Sequence, residues 1–435
     1  MFLLGKSKRS DSNALRSGTV DRVPSRMFAI PSDPELIDYP DIAASGFHDT
    51  DELTFGRTDD SKFTVTYKGI DYEFSTADVE FSVDEDDPSL SSLNPYELAV
   101  ALRAKHALGV EMMYKNNNMD SYHLQIKLIN MLVPEVAALF DTNAYRIHSG
   151  RWVKLTAESK VAPSPDYMIT IHAVNDTENG SDSVWLHTHG LTRCGTIELE
   201  ILGSNVNNWE ELGKSLNHIA HRLIGENRFI DEMEPKLMGR TGGGRDIVVT
   251  WQRSEWSFKD FPENIVGGPS DRDDEHSINM GVIYLYADEE DQLEGKLTPI
   301  TEWADALSEN TVFFLTTSET RRMRALAQER VGFLRMLDKE LDDKEIIVKI
   351  ALKPDPENGF DDDQYEYIWF APSEFREDGF TATLTQDAFY VKGMVEGVRR
   401  ECGYDEIVDW RVFTNDSTYS PDNIHKYIGK GKVNQ

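Results

Sequence analysis

The sequence has few cysteines and no long apolar segment. Only two cysteines, Cys194 and Cys402, occur among 435 residues, which excludes a disulfide framework and is typical of a reducing compartment. No apolar run approaches the roughly 18–20 residues that a membrane-spanning helix needs. The opening sequence MFLLGKSKRS places its short apolar stretch before its basic residues, the reverse of the order in a signal peptide. These absences predict a cytoplasmic protein that does not enter a membrane.

Basic residues are also scarce relative to acidic ones. The chain carries 45 Lys and Arg against 77 Asp and Glu, a formal net charge of −32. This balance argues against affinity for nucleic-acid phosphates, which requires clustered basic residues. Three explanations stay open: solubility, a basic protein partner, and mimicry of nucleic acid. The densest acidic blocks fall in predicted loops of different regions, which weighs against mimicry.

Internal repeats, low-complexity tracts and a phosphate-binding loop are absent too. The Gly-rich segment GRTGGGRD at 239–246 lacks the GK[ST] ending and leads into a strand, so it predicts a flexible loop. Hydrophobic residues make up 39% of the chain. That content is enough for packed cores, and the length suits two or three domains.

Residue patterns predict an α+β fold with two or more domains, each a mainly antiparallel sheet with packed helices. Phe63, Val65 and Tyr67 alternate with polar residues, as in a half-buried strand. Asn94 and Glu97 form a capping box that begins a helix. The predicted plan is a flexible basic tail at 1–26, a small β-rich segment at 27–90, a central α+β domain at 91–300, and a C-terminal α+β domain at 312–435.

The segment WLHTHGLTRCGTIELE predicts a β-hairpin with a polar face. Side chains alternate across a strand, so His187 and His189 share one face with Glu198 and Glu200 on the facing strand. A hairpin that is symmetric about its loop places His189 opposite Glu198 and His187 opposite Glu200.

Three interpretations of these four residues stay open. His–Glu pairs across a sheet are ordinary structural pairs. The same set, His187, His189, Glu198 and Glu200, could bind Zn²⁺ or another divalent metal. It could also perform acid–base chemistry without a metal. The first interpretation requires no cofactor.

The C-terminal third resembles the YegJ-like family of uncharacterised bacterial domains over about residues 312–435. The matching positions are Lys349, Glu366, Trp369, Gly379, Leu384, Asp409, Trp410 and Pro421. The hairpin departs from the family pattern, with Ala382 at a usual Gly and Gln386 near a usual Asn.

The middle region, roughly 27–290, is similar to a companion bacterial family of unknown function with a WLHTHGL-R-G-ELEI signature. Its matching positions are Trp185, His187, His189, Gly190, Arg193, Gly195, Glu198 and Glu200. Some relatives of these families look like immunity or accessory proteins. The resemblance therefore implies a bacterial protein of unknown activity.

Two functions compete at this point, and the sequence favours the first because it shows no complete catalytic constellation. The first is a binding or interaction protein, immunity-like or accessory, that acts on a basic protein partner and on neither nucleic acid nor membranes. The second is a metal-dependent hydrolase centred on the histidine hairpin. A recognition surface for the first function would use Trp369, Trp410, Glu366, Asp409 and Arg193. The sequence does not determine an oligomeric state.

Overall fold

A computed structural model describes residues 15–33, 47–57, 62–176, 181–272, 276, 279–309, 311–314, 316–358 and 365–428. The chain divides into two compact units. Unit 1 comprises Met1–Ala157 and Ser164–Thr316, and unit 2 comprises Glu158–Pro163 and Thr317–Gln435. The predicted α+β class with mainly antiparallel sheets is confirmed. In the described part of the chain, every helix is too short or too polar to cross a membrane.

Unit 1 contains a seven-stranded antiparallel sheet in the order β2-β3-β4-β5-β1-β6-β7. Its strands are β1 (Ser25–Pro31), β2 (Leu53–Arg57), β3 (Lys62–Tyr67), β4 (Ile70–Glu80), β5 (His106–Met112), β6 (Val136–Asp141) and β7 (Arg146–Ser149). The alternation along β3 is as expected, with Phe63, Val65 and Tyr67 buried. Because β1 pairs with both β5 and β6, the boundary predicted near residue 90 falls inside one sheet.

Each helix that accompanies this sheet follows a residue whose side chain caps its N-terminus. These helices are α1 (Pro95–Ala101), α2 (Asn118–Leu132) and α3 (Gly150–Glu158). The predicted capping box is present: Glu97 N donates to the Asn94 side chain, and Asn94 N donates to the Glu97 carboxylate, both at 2.9 Å. The box satisfies backbone N–H groups that have no partner within the helix.

The predicted flexible tail is wrong for its described part. Residues 15–24 cross the hairpin loop, where Thr19 bridges Thr196 and Val20 N donates to Gly195 O at 3.0 Å. Arg16 donates to Asn279 Oδ1 at 2.7 Å. These bonds fix the segment as part of unit 1. Residues 1–14 of the predicted tail lie outside the described residues.

A second, eight-stranded sheet completes unit 1. Its main path runs β15-β11-β12-β13-β10-β9-β8, and β14 pairs with β13. The strands are β8 (Thr170–Asn175), β9 (Ser183–His189), β10 (Glu198–Asn205), β11 (Lys236–Arg240), β12 (Asp246–Arg253), β13 (Met280–Tyr286), β14 (Thr298–Pro299) and β15 (Val312–Phe313). The β10–β13 pair is parallel, whereas the other pairs are antiparallel. The segment 241–245 is the loop between β11 and β12.

In the part of unit 1 that the structure describes, four α-helices accompany the second sheet. They are α4 (Trp209–Glu226), α5 (Ser254–Ser257), α6 (Glu289–Glu294) and α7 (Ala304–Ser308). The apolar stripe of α4 is buried at Leu212, Leu216, Ile219 and Leu223, whereas Trp209 is 37% exposed. One continuous apolar core includes residues from both sheets, so burial of apolar area stabilises them together.

Unit 2 has a six-stranded antiparallel sheet in the order β19-β18-β17-β16-β20-β21. Its strands are β16 (Glu345–Leu352), β17 (Glu366–Ser373), β18 (Gly379–Leu384), β19 (Arg399–Gly403), β20 (Ile407–Phe413) and β21 (Thr418–Tyr419). Its helices are α8 (Thr317–Glu329), α9 (Val331–Glu340) and α10 (His425–Ile428). Helices α8 and α9 are separated at Arg330, which belongs to neither of them. The buried Arg330 guanidinium donates to Pro421 O, and this contact holds the break.

Candidate functional site

Three histidines lie on one face of β8 and β9. In the antiparallel β8–β9 ladder His172 is the direct partner of His187, and Thr170 is the partner of His189. Directly opposed residues share a face, as do residues two apart on one strand. The pairing therefore brings His172, His187 and His189 together at the edge of the second sheet.

The three imidazoles are close enough to share a ligand. One ring nitrogen from each lies within 4.8 Å of the corresponding nitrogens of the other two. The Nε2 atoms of His187 and His189 are 3.1 Å apart, and the ring centroids of His172 and His189 are 4.4 Å apart. Three convergent imidazole nitrogens form a donor set typical of Zn²⁺ and related transition metals.

Burial keeps the central histidine neutral. His187 is 2% exposed, and this burial, together with the charges of His189, His276 and His172, lowers its pKa to about 2. Burial, together with the nearby His276, also lowers the pKa of His172. Neutral imidazole is the form that binds metal ions. Within the described residues, the Nδ1 atom of His187 has no hydrogen-bond partner.

Glu200 faces His187 in the predicted register but is held by other residues. The register His187–Glu200 is confirmed. The carboxylate accepts hydrogen bonds from Trp185 Nε1 at 2.9 Å, from Arg272 Nη2 at 2.7 Å and from Ser254 Oγ. The pair with Arg272 is buried. Glu200 is therefore a partner of Arg272, and its sequence-based assignment as a metal ligand stays a prediction.

Glu198 stabilises the hairpin loop. Its carboxylate accepts hydrogen bonds from Thr188 Oγ1 at 2.7 Å and from Gly190 N and Thr192 N at 3.0 Å each. Burial raises the pKa of Glu198, while these three hydrogen bonds oppose the rise. Its oxygens are committed to the loop, so it too does not join the three histidines.

His189 opens onto a cavity of about 550 Å³. The other walls include Arg26, Asn143, Tyr145, His276 and Asn279. Tyr145 has a φ of 47°, an uncommon backbone conformation that often marks functional sites. Its ring lies edge-on to His189, with centroids 4.8 Å apart. The volume is in the range of small-molecule sites.

Sequence reasoning missed His172 and His276. Seven residues join the strands 170–175 and 183–189, and a hairpin symmetric about them would pair His172 with Leu186. The observed register is shifted by one residue and pairs His172 with His187. His276 lies far along the chain, and its ring centroid is 4.8 Å from that of His187. No local pattern indicates that second proximity.

Three of the five residues predicted to form a recognition surface are buried. Arg193 is fully buried and pairs with Asp141 at 2.7 Å, while Trp410 and Asp409 are 0% and 3% exposed. Because all three side chains are buried, Arg193, Trp410 and Asp409 form no exposed recognition surface in this structure.

The other two residues are accessible in part. Trp369 is half-buried, and the Lys349 ammonium lies 4.5 Å from the centroid of its ring. Glu366 accepts backbone hydrogen bonds from Phe389 and Tyr390. Their recognition role stays a prediction.

Comparison with known families gives two adjacent matches. Residues 25–163 match the N-terminal domain, and residues 171–284 the C-terminal domain, of the family described as protein of unknown function (DUF4026). The prediction of an uncharacterised family for the middle region is confirmed, whereas the YegJ-like likeness of unit 2 stays a prediction. No curated protein and no solved structure matches the chain. The three histidines lie in the C-terminal match, and the cavity wall includes Tyr145 from the N-terminal match.

Proposed function

The chain belongs to the DUF4026 family, whose function is unknown, and we propose that His172, His187 and His189 bind a divalent transition metal ion as the centre of a metal-dependent hydrolase. The observation that carries this proposal is the convergence of three imidazole nitrogens within 4.8 Å beside a cavity.

The spacing fits a shared ion. Zinc binds imidazole nitrogen at about 2.0–2.1 Å, and tetrahedral geometry then separates two ligand nitrogens by about 3.3 Å. The Nε2 atoms of His187 and His189 are 3.1 Å apart. All three ligand nitrogens lie within 4.8 Å of one another, so small side-chain rotations would bring them to the spacing of a shared ion.

A donor set of three histidines beside a cavity favours catalysis over a structural role. Structural zinc sites use four protein ligands, whereas catalytic sites use three and leave a position for water. Bound to zinc in such a site, water has a pKa near 7 and becomes a nucleophile at neutral pH. His189 lines the cavity, so a substrate in the cavity would reach this position.

Metal analysis of the full chain, purified without chelators, tests the metal centre. We expect about one Zn²⁺ or similar ion per chain and a lower melting temperature in EDTA, because an ion that binds only the folded state stabilises it. Less than about a tenth of an ion per chain, with unchanged melting in EDTA, would exclude the proposal.

An activity screen tests the hydrolase assignment separately. The metal-loaded chain and its His187→Ala variant are compared on chromogenic esters, phosphoesters and amides. Turnover by the native chain alone supports hydrolysis. A metal that binds stoichiometrically without any turnover would instead assign the centre a structural role.

An interaction function is the second candidate, and the net charge of −32 favours it. A strongly acidic protein attracts basic partners, and the attraction weakens with salt. Affinity capture from the native cells at low and high salt tests this function. Absence of any partner at both salt concentrations would remove its support.

We also propose that the protein is bacterial and that it is located in the cytoplasm. The bacterial origin rests on the family resemblance. Both cysteines are buried free thiols, as is typical of a reducing compartment. Fractionation of the native cells, followed by immunodetection, tests the location.

A further inference from the structure

The loop that joins β18 to β19 in unit 2, residues 385–398, exposes an aromatic side chain to solvent. We name it the aromatic loop. Phe389 is 84% exposed, more than any other large apolar residue in the described part of the chain. Val395 and Tyr390 in the same loop are 53% and 45% exposed. Single exposed apolar residues are ordinary, so the structure of the loop decides what this group means.

Two acidic residues, Glu366 and Asp355, hold the backbone of the aromatic loop through hydrogen bonds. The Glu366 carboxylate accepts hydrogen bonds from Phe389 N at 2.7 Å and Tyr390 N at 2.9 Å. Asp355 Oδ2 accepts one from Lys392 N at 2.6 Å, and Asp355 N donates to Tyr390 O at 2.8 Å. Each acidic residue therefore binds the loop twice.

The loop also closes on itself. Ala388 N donates to Met394 O at 2.8 Å, and Gly397 N donates to Leu384 O at 2.9 Å. Gly393 and Gly397 have φ angles of 79° and 85°, which glycine adopts without strain. The ring of Phe389 is thus presented by an ordered backbone. An aromatic anchor whose backbone is already ordered loses little conformational entropy on binding.

The negative charge around the loop favours a basic partner protein. Residues 353–358, Glu366 and the loop residues 385–398 together contain five acidic and two basic residues, a net charge of −3. The acidic residues are Asp355, Glu357, Glu366, Asp387 and Glu396, and the basic ones are Lys353 and Lys392. A second copy of this chain, which also carries −32, would be repelled. A basic surface would be attracted.

We propose that the aromatic loop is a docking site that inserts Phe389 into an apolar pocket on a basic protein partner. The proposal rests on unit 2 and is independent of the metal centre. Glu366 is a positioning residue, because it fixes the backbone on either side of the Phe389 side chain.

Photo-crosslinking in the native cells tests the site in the full chain. Phe389 is replaced by p-benzoylphenylalanine, and Leu293, which is 65% exposed in unit 1, is replaced in a matched control. We expect one basic protein to crosslink through position 389 and not through position 293. Absence of a product specific to position 389, or a product with a second copy of the chain, overturns the proposal.

Affinity measurements with the purified crosslinked protein complete the test. Phe389→Ala is expected to weaken binding at least about tenfold, and Glu366→Ala to weaken it with the ring intact. Leu293→Ala is expected to leave the affinity unchanged, and added salt to lower it. A partner that binds salt-dependently but insensitively to Phe389→Ala contradicts the docking site while supporting the broader interaction function.

Discussion

The Nε2 atoms of His187 and His189 lie 3.1 Å apart, on the same face of β9 and opposite the edge strand β8. Two imidazoles at this distance either share a proton in a hydrogen bond or point their lone pairs at a common ion. His172 adds a third nitrogen to the pair, which a simple hydrogen bond does not require.

The ligand set distinguishes the three-histidine centre from the His–Glu set expected from the sequence. We expect His172→Ala to lower the zinc content after reconstitution to less than about a fifth of the native value, because two imidazoles alone bind zinc weakly. Glu198→Gln should retain most of the metal, since its oxygens bind the loop. The measurement is metal content after dialysis. The exposed His106 provides the matched control, His106→Ala, and loss of metal in Glu198→Gln but not in His172→Ala would contradict the assignment.

The buried pair Arg193–Asp141, 2.7 Å apart with both side chains fully buried, should contribute strongly to folding. Arg193→Met leaves Asp141 without its counter-charge, so the free energy of unfolding should fall by about 3–5 kcal/mol. Urea unfolding measures the loss. The more exposed pair Arg240–Asp246 is the control, and Arg240→Ala should cost at most about 1 kcal/mol. If Arg193→Met and Arg240→Ala lowered the free energy of unfolding equally, burial would not explain the contribution of Arg193 to stability.

Both thiols should be unreactive in the folded chain. Burial raises the pKa of Cys194 to about 12 and that of Cys402 to about 11, and the thiolate is the reactive form. A disulfide reagent at pH 8 should label neither cysteine within minutes and both after unfolding in guanidinium. The rate of thiol labelling is measured from the absorbance of the group that the reagent releases. Rapid labelling of Cys194 in the native chain would contradict its burial.

The Asp422–Arg322 pair predicts a pH dependence of stability for unit 2. Burial by itself would raise the pKa of Asp422, but the Arg322 guanidinium, which donates to both carboxylate oxygens at 2.9 and 3.1 Å, holds it below its usual 3.8. A carboxyl group with a lowered pKa stabilises the fold above its unfolded pKa, and this contribution disappears as the pH falls through the folded value.

We therefore expect Asp422→Asn to reduce the free energy of unfolding by about 1.5–3 kcal/mol at pH 7. The difference from the native chain should shrink as the pH drops below about 4. Urea unfolding of both proteins at several pH values provides the test. A difference that grows towards low pH would have the opposite sign and contradict the assignment.

Local sequence patterns were sufficient for the elements of the fold around the site. Alternation identified the strands β3, β9 and β10, and the capping residues Asn94 and Glu97 identified the start of α1. The register of His187 with Glu200 followed from the symmetry of the hairpin, whereas the pairing of His172 with His187 is shifted by one residue from a symmetric register. These features depend on neighbours in the chain and on the two-residue repeat of a strand, which the sequence displays directly.

Only the tertiary structure decided which polar side chains are free to bind a ligand. Glu200 accepts a hydrogen bond from Arg272, 72 residues away. Arg193 is buried in the core, where it pairs with Asp141, 52 residues away. A strand pattern shows which face a side chain points to, but it does not show what covers that face. A charged group is buried only together with a partner. Whether Glu200 or Arg193 is buried therefore depended on residues far away in the sequence, and a local pattern does not show which residues those are. Composition by itself determined the acidity and the scarcity of thiols, whereas packing determined where three histidines meet.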